Sequence, residues 1–380
     1  LLKTGQKALV LQHRQELIRQ NCQTFQKIAP QFTTSLMIAQ EKSFDGNVVF
    51  AMVPTLARSL EDWPHFDFVV ADEAHHSVAN TWTEAVHKVQ ETNPDVRILG
   101  FTATPSRGDK VGLCTLFDNV ADQIFLGELV ESGHLVKPRT FVIKLGEEAD
   151  QKLKDLYWNS RGHRWANPSE NQMLTSASEI LNTDKYNEEV FRHWQEKAGD
   201  RKTVVFCSTV DHAQDIQSTF NYHGIPTGHI NGQLHDRERL TTLQSFQEGE
   251  LRVLNNVAVL TEGWDCPEVS CVILLRPSSY KSTMIQMVGR GLRPFEGKED
   301  CLILDFGLSS KVYGSLEQDV NLSSAGERIE QKDKEEEEEE KKTQDVGPAR
   351  DLNHSLEMKE IDMLNQRPSA PLKKHFKNSF

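Results

Sequence analysis

Two adjacent carboxylates, Asp72 and Glu73, followed by Ala74 and His75, stand directly behind the apolar run Phe66-Asp67-Phe68-Val69-Val70-Ala71. A short, largely apolar run bounded by polar residues suits an interior strand of a parallel sheet. Carboxylates at its C-terminal end would open into the crevice where α/β proteins take their ligands. There the first carboxylate can hold Mg²⁺ while the second orients and deprotonates an attacking water, which is the chemistry of nucleotide hydrolysis. The plainer alternative is that Asp72-Glu73 caps the next helix, as acidic residues often do. Further on, Arg97-Ile98-Leu99-Gly100-Phe101 is a second strand-like run, ending in Thr102-Ala103-Thr104-Pro105. In Gln286-Met287-Val288-Gly289-Arg290-Gly291-Leu292-Arg293 the two arginines are three apart, so on a helix they would share one face. Paired arginines aimed at a nucleotide are what a phosphoryl-transfer site needs when its stabilising cations come from a second domain.

With these blocks in place the chain resembles a superfamily-two helicase of the DEAD/DEAH-box type. Gln12-His13-Arg14-Gln15-Glu16-Leu17 behind Ala8-Leu9-Val10-Leu11 resembles motif Ia, and Val53-Pro54-Thr55-Leu56 resembles Ib. Asp72–His75 and Thr102–Pro105 resemble motifs II and III, Thr203-Val204-Val205-Phe206-Cys207-Ser208 motif IV, Leu260-Thr261-Glu262-Gly263-Trp264-Asp265 motif V, and Gln286–Arg293 motif VI. A second histidine at His76 and a glutamine opening motif VI are similar to the DNA-directed, phage-like and repair-type branch rather than to the RNA-specific one.

The resemblance implies a division of labour. ATP and Mg²⁺ would sit between two domains, with Asp72, Glu73 and His75 on one wall, Asp72 and Glu73 serving the metal, and Arg290 and Arg293 on the other. Gly263 and Asp265 would contact the nucleotide from the second domain, and Gln286 would sense the γ-phosphate. His13, Arg14, Thr55 and Thr104, with Ser208, Thr209 and Thr261, would track the nucleic-acid backbone, DNA in preference to RNA and with 3′-to-5′ polarity. Thr102 and Thr104 would couple that track to motif II, although for any single Thr a strand-end hydroxyl satisfied by backbone is the commoner role.

One block is missing: no G-x-x-x-x-G-K-[ST] occurs, so no loop of that kind cradles phosphates. The opening Leu1-Leu2-Lys3-Thr4-Gly5-Gln6-Lys7 resembles the end of the helix that follows such a loop, and the expectation is a fragment of a longer helicase that is inactive alone. The alternatives are a non-catalytic nucleic-acid-binding protein that keeps the fold, and the motor subunit of a restriction system.

The 380 residues suit two domains with a tail, and 26% charged against 37% hydrophobic residues is ordinary for a soluble globular chain. No run approaches the ~18 apolar residues of a membrane helix, so no membrane partner is expected and the location is cytoplasmic or nucleoid-associated. Six cysteines without a C-x-x-C pair argue against zinc and against a disulfide framework. The net charge of −13 is unusual for a nucleic-acid binder. Part of it lies in the run Lys332–Glu340, and backbone amides and hydroxyls can grip a strand with little net positive charge.

The elements that must position these residues follow as an α/β fold: two RecA-like parallel-sheet domains in tandem, the first N-terminally incomplete, with a disordered acidic C-terminal tail. The expected segments are a first domain over 1–143, a connector over 144–185, a second domain over 186–325 and a tail over 326–380. Strands are expected at Ala8–Leu11, Val48–Val53, Phe66–Ala71 and Ile98–Thr102, then at Thr203–Cys207, Thr227–Ile230, Arg252–Asn255, Val269–Leu275 and Cys301–Asp305, with a helix over Asp236–Gln247. The connector holds the aromatic and basic stretch Trp158–Trp165, which could stack on bases but more simply tucks its aromatics onto a domain.

Overall fold

The computed structural model describes residues 2–13, 15–59, 62–74, 80–103, 113, 116–160, 170–260, 264–278, 281–307, 309–310, 314, 316, 358–361 and 363–364. His75, Arg14, Thr104, Thr261 and Gly263 lie outside the described residues. The chain divides into two compact units, with the boundary at Gln123–Ile124.

The first unit runs β1 (Ala8–Gln12), α1 (Gln15–Ile28), β2 (Thr34–Ile38), β3 (Glu41–Lys42), β4 (Val48–Met52), α2 (Val53–Ala57), β5 (Phe68–Asp72), α3 (Asn80–Thr92) and β6 (Arg97–Phe101). Its sheet has the order β3-β2-β4-β1-β5-β6, parallel except where β3 turns back on β2. Successive side chains of a strand face opposite ways, so β1 sends Leu9 and Leu11 to one core and Ala8 to the other. From β4 the chain crosses β1 to reach β5, and this reversal opens the crevice at the C-terminal ends of β1 and β5.

The second unit runs α4 (Leu126–Glu131), β7 (Lys137–Ile143), α5 (Glu147–Ser160), α6 (Glu170–Leu181), α7 (Asp184–Lys197), β8 (Thr203–Cys207), α8 (Val210–Tyr222), β9 (Thr227–Ile230), α9 (Asp236–Gln247), β10 (Val253–Asn256), β11 (Cys271–Leu275), α10 (Lys281–Gly289), β12 (Asp300–Asp305) and β13 (Met358–Ile361). The order is β13-β7-β12-β11-β8-β10-β9, with only β13 antiparallel. Strand β11 shows why its sequence has no polar alternation: Cys271, Ile273 and Leu275 enter one core and Val272 and Leu274 the other.

Three segments differ from the sequence expectation. Residues 124–143, expected with the first domain, belong to the second unit, because β7 pairs with β12 from Lys137↔Asp300 to Val142↔Asp305. The expected connector is largely helical and packed. Ala149 and Leu153 on α5, and Met173, Ala177 and Leu181 on α6, recur every four residues and bury against Phe141 and Ile143. In the expected disordered tail, β13 pairs with β7, Arg139 reaches Glu360 at 3.1 Å, and Met363 is buried. Among the described residues no helix is long and apolar enough to cross a membrane.

Candidate active site

Asp72 is the last residue of β5, and its carboxylate is fixed from two sides. Gln12, the last residue of the adjacent strand β1, donates from Nε2 to Asp72 Oδ2 at 2.8 Å. Asn21 of α1 approaches the same oxygen at 3.4 Å, and the Glu73 backbone N–H donates to Asp72 Oδ1 at 3.0 Å. Gln12 is buried, and its amide steadies the carboxylate as a strut. Beyond Asp72 the chain turns sharply, with Glu73 at φ +51°, a left-handed conformation that costs a non-glycine residue roughly 1–3 kcal/mol. Gly100 on the neighbouring β6 makes room for that turn, since a Cβ there would lie 2.8 Å from Ala74 Cβ and 2.5 Å from the Phe117 ring.

Two adjacent carboxylates at a strand end fit Mg²⁺, which takes one or two protein carboxylates and completes its shell with water and phosphate oxygens. Among the described residues no group of three or more His, Cys, Asp or Glu gathers that could hold a metal ion. The other first-unit candidates follow the same edge. His13 comes directly after β1, Thr55 lies in the one-turn helix behind β4, and Thr102 directly follows β6. Each is half-buried.

In the second unit, α10 ends at Gly289, so Arg290 and Arg293 share a turn beyond the helix rather than one helical face. They nevertheless converge. Arg290 Nη1 donates to the Trp264 carbonyl at 2.6 Å, and Arg293 Nη1 donates to the same oxygen at 3.3 Å while pairing with Asp265. Asp265, expected at the nucleotide, is thus the ion-pair partner of Arg293, and its side chain is half exposed. An exposed pair of this kind is worth only ~0–1 kcal/mol, so exchanging the carboxylate for a phosphate costs little. Gly291 lets the turn sit tightly on the sheet: a Cβ would fall 2.8 Å from Val272 Cγ2 and against Cys301 Sγ. Gln286 lies half-buried on α10.

Ser208 and Thr209 open the segment after β8 and are tied locally. The buried Ser208 hydroxyl donates to the Leu275 carbonyl at 3.1 Å. Thr209 caps α8 by accepting from the His212 N–H at 3.2 Å, and its hydroxyl lies 2.8 Å from Ser178 Oγ.

Sequence reasoning missed the residues that hold these groups. Gln12 and Asn21 carry no chemical signal of their own, being 60 and 51 residues from Asp72. Asn256 ends β10, and its Oδ1 accepts from the N–H groups of Val259 and Leu260 at 2.9 and 2.8 Å. The pair Asn255-Asn256 closing an apolar strand was the available signal. Asp305, at the end of β12, is fully buried and accepts from Gly307 N–H at 3.0 Å and Ser310 N–H at 2.6 Å; burial pushes its carboxyl up, against the pull of those bonds.

Family comparisons align with this layout. Residues 1–107 match the family described as "Type III restriction enzyme, res subunit", and residues 184–294 match "Helicase conserved C-terminal domain". IRC3 of Saccharomyces cerevisiae, named as an ATP-dependent helicase, is 31% identical over 314 residues, which cover 80% of this chain and 44% of that protein. The irc3 protein of Schizosaccharomyces pombe, named as a mitochondrial ATP-dependent helicase, is 30% identical over 80% of this chain and 49% of its own length. The chain therefore spans about half the length of these relatives. The fold matches an HsdR-subunit fragment of a type I restriction enzyme from Vibrio vulnificus, with a TM-score of 0.56 and 21% identity over 84% of this chain and 57% of that one. It also matches the Saccharomyces cerevisiae protein Dbp5 bound to RNA and ADP BeF3, with a TM-score of 0.51 and 17% identity over 81% of this chain and 75% of that one. With a res-subunit segment over the first sheet and a helicase C-terminal domain over strands β8–β11 of the second, the chain belongs to the superfamily-two helicases of the DEAD/DEAH-box type.

Proposed function

We propose that the chain is the core of an ATP-dependent DNA translocase, in which ATP hydrolysis drives movement along a strand. The observation that carries this is the fixed carboxylate of Asp72 at the reversal point of the first sheet, backed by Gln12 and followed by Glu73 in a constrained turn. Asp72 and Glu73 would hold Mg²⁺, which supplies charge neutralisation at the phosphates. Glu73 would take the proton of the attacking water, and Arg290 and Arg293 would leave Trp264 and Asp265 for phosphate oxygens. Gly263, Asp265 and Gln286 belong to the same proposed nucleotide set, and His75 to the motif II set.

His13, Arg14, Thr55, Thr104, Ser208, Thr209 and Thr261 are proposed to follow the sugar-phosphate backbone, which carries little sequence information, and Thr102 and Thr104 to couple it to motif II. The Thr209 cap leaves the α8 N-terminus suited to a phosphate. DNA is favoured over RNA by the match to a restriction-enzyme family and by the wording of motifs II and VI. The second reading, a helicase-like module that binds nucleic acid without turnover, requires the whole protein to lack the G-x-x-x-x-G-K-[ST] loop that these 380 residues do not contain.

Nucleic-acid-stimulated ATPase activity, measured on the 380-residue chain and on a version extended upstream, separates the two. The translocase reading expects DNA-stimulated hydrolysis in at least the extended version. Strand binding with no hydrolysis in either would replace it with the binding module.

A further inference from the structure

Lys298 is used by no step of the proposed reaction, yet its ammonium is fully engaged by the main chain. Its Nζ donates to three main-chain carbonyls, those of Val269 at 2.5 Å, Arg293 at 2.7 Å and Pro267 at 2.9 Å. An ammonium has three donors, and here each meets a separate acceptor. None of these partners is a carboxylate. Burial lowers the pKa of this lysine, and the guanidiniums of Arg201 and Arg293 push the same way. A group that gives up hydration and gains no opposite charge serves geometry, and bonds from a charged donor are roughly twice as strong as neutral ones.

The acceptors come from two segments that both carry proposed site residues. Pro267 and Val269 follow Trp264 and Asp265, while Arg293 closes the arginine turn. Gly297, at φ +76°, folds the chain back, with Lys298 N–H bonded to the Phe295 carbonyl at 3.0 Å, so the side chain returns to the turn it has just left. The turn's remaining anchors are separate: Val136 N–H donates to the Leu292 carbonyl at 2.8 Å, and Gly291 packs on Val272 and Cys301. Arg290 and Arg293 reach the Trp264 carbonyl and Asp265 with their own side chains, and Lys298, from outside the turn, bonds the main chain of both segments.

We propose that Lys298 is a positioning residue, whose ammonium clamps the Arg290–Arg293 turn to the Asp265 segment so that both arginines are held ready. Its consequence for turnover rests on the function proposed above; its structural part does not. The test uses the full chain carrying Lys298→Met, which keeps the stem and removes the donors, and Lys298→Arg, which keeps charged donors. Amide hydrogen exchange is read over 264–269 and 289–294, with β8 and β11 as internal references.

Lys298→Met is expected to exchange about tenfold faster in both segments and unchanged in the references, with Lys298→Arg in between. In the version that hydrolyses ATP, kcat should fall about tenfold with KM for ATP held. Exchange unchanged in both segments would overturn the clamp. Faster exchange with kcat intact would reduce Lys298 to a structural lysine and overturn its positioning role. Should Lys298→Met not fold, Lys298→Arg decides by the same measurements. Absence of hydrolysis in the unaltered protein counts against the proposed function instead, and the clamp is then judged on exchange alone.

Discussion

The carboxylates of the first unit and the arginines of the second are held by different means. Asp72 ends a strand, and its strut Gln12 ends the strand beside it, so the hydrogen-bonded ladder that pairs Leu11 with Ala71 also sets the distance between them. Arg290 and Arg293 lie in a turn outside any element, held by a carbonyl 26 and 29 residues away, by the Lys298 ammonium and by the bare backbone of Gly291. A residue on a strand end inherits the rigidity of its sheet, whereas a residue in a turn needs separate ties, each of which can fail alone. The first arrangement suits a metal and a water that must be in place before reaction. The second suits cations that exchange one partner for another.

The largest expected effect is on the turn. Arg290→Ala in the hydrolysing version should lower turnover by ~10³–10⁵, the range for an arginine that stabilises phosphoryl transfer. Hydrolysis at the normal rate in that variant would remove the cation role and leave Arg290 as a loop anchor. A stability effect comes next. His212 is fully buried on α8, and burial lowers its pKa from 6.5 to about 4. The unfolded chain therefore takes up this proton first, so stability is complete above about pH 7 and drains as pH falls from 6.5 toward 4, by roughly 3 kcal/mol. Urea melts at pH 7 and 4.5 should show that slope, weakened in His212→Phe; an equal slope in the variant would assign the acid sensitivity elsewhere.

Smaller again is the effect of filling the space beneath the turn. Gly291→Ala forces a Cβ onto Val272 and Cys301 and should cost ~1–3 kcal/mol. Gly289→Ala, two residues earlier with nothing within 4 Å of its added Cβ, should fall within about 0.5 kcal/mol of the unaltered chain. Equal effects in thermal melts would mean that close packing does not seat the arginines.

The sheet was largely readable because its strands are buried on both faces and so appear as unbroken apolar runs, such as Cys271–Leu275 and Thr203–Cys207. Thr34–Ile38 was missed because it opens on two hydroxyl residues and lacks a continuous apolar run. Lys137–Ile143 falls at the end of the expected first domain, since nothing local tells that its partner is β12, some 160 residues on. Asp72 and Glu73 were readable because strand and carboxylates are contiguous. Gln12 and Lys298 were not, because each acts through contacts to residues distant in sequence that the fold creates.

The most direct test of the central claim is Glu73→Gln in the version of the protein that hydrolyses ATP, with DNA-stimulated turnover and nucleotide binding measured side by side. The account predicts turnover lowered by ~10²–10⁴ with binding retained, as expected when a positioned base is removed while the Asp72 carboxylate still serves the metal. Turnover at the unaltered rate would contradict it, and would remove Glu73 from the chemistry.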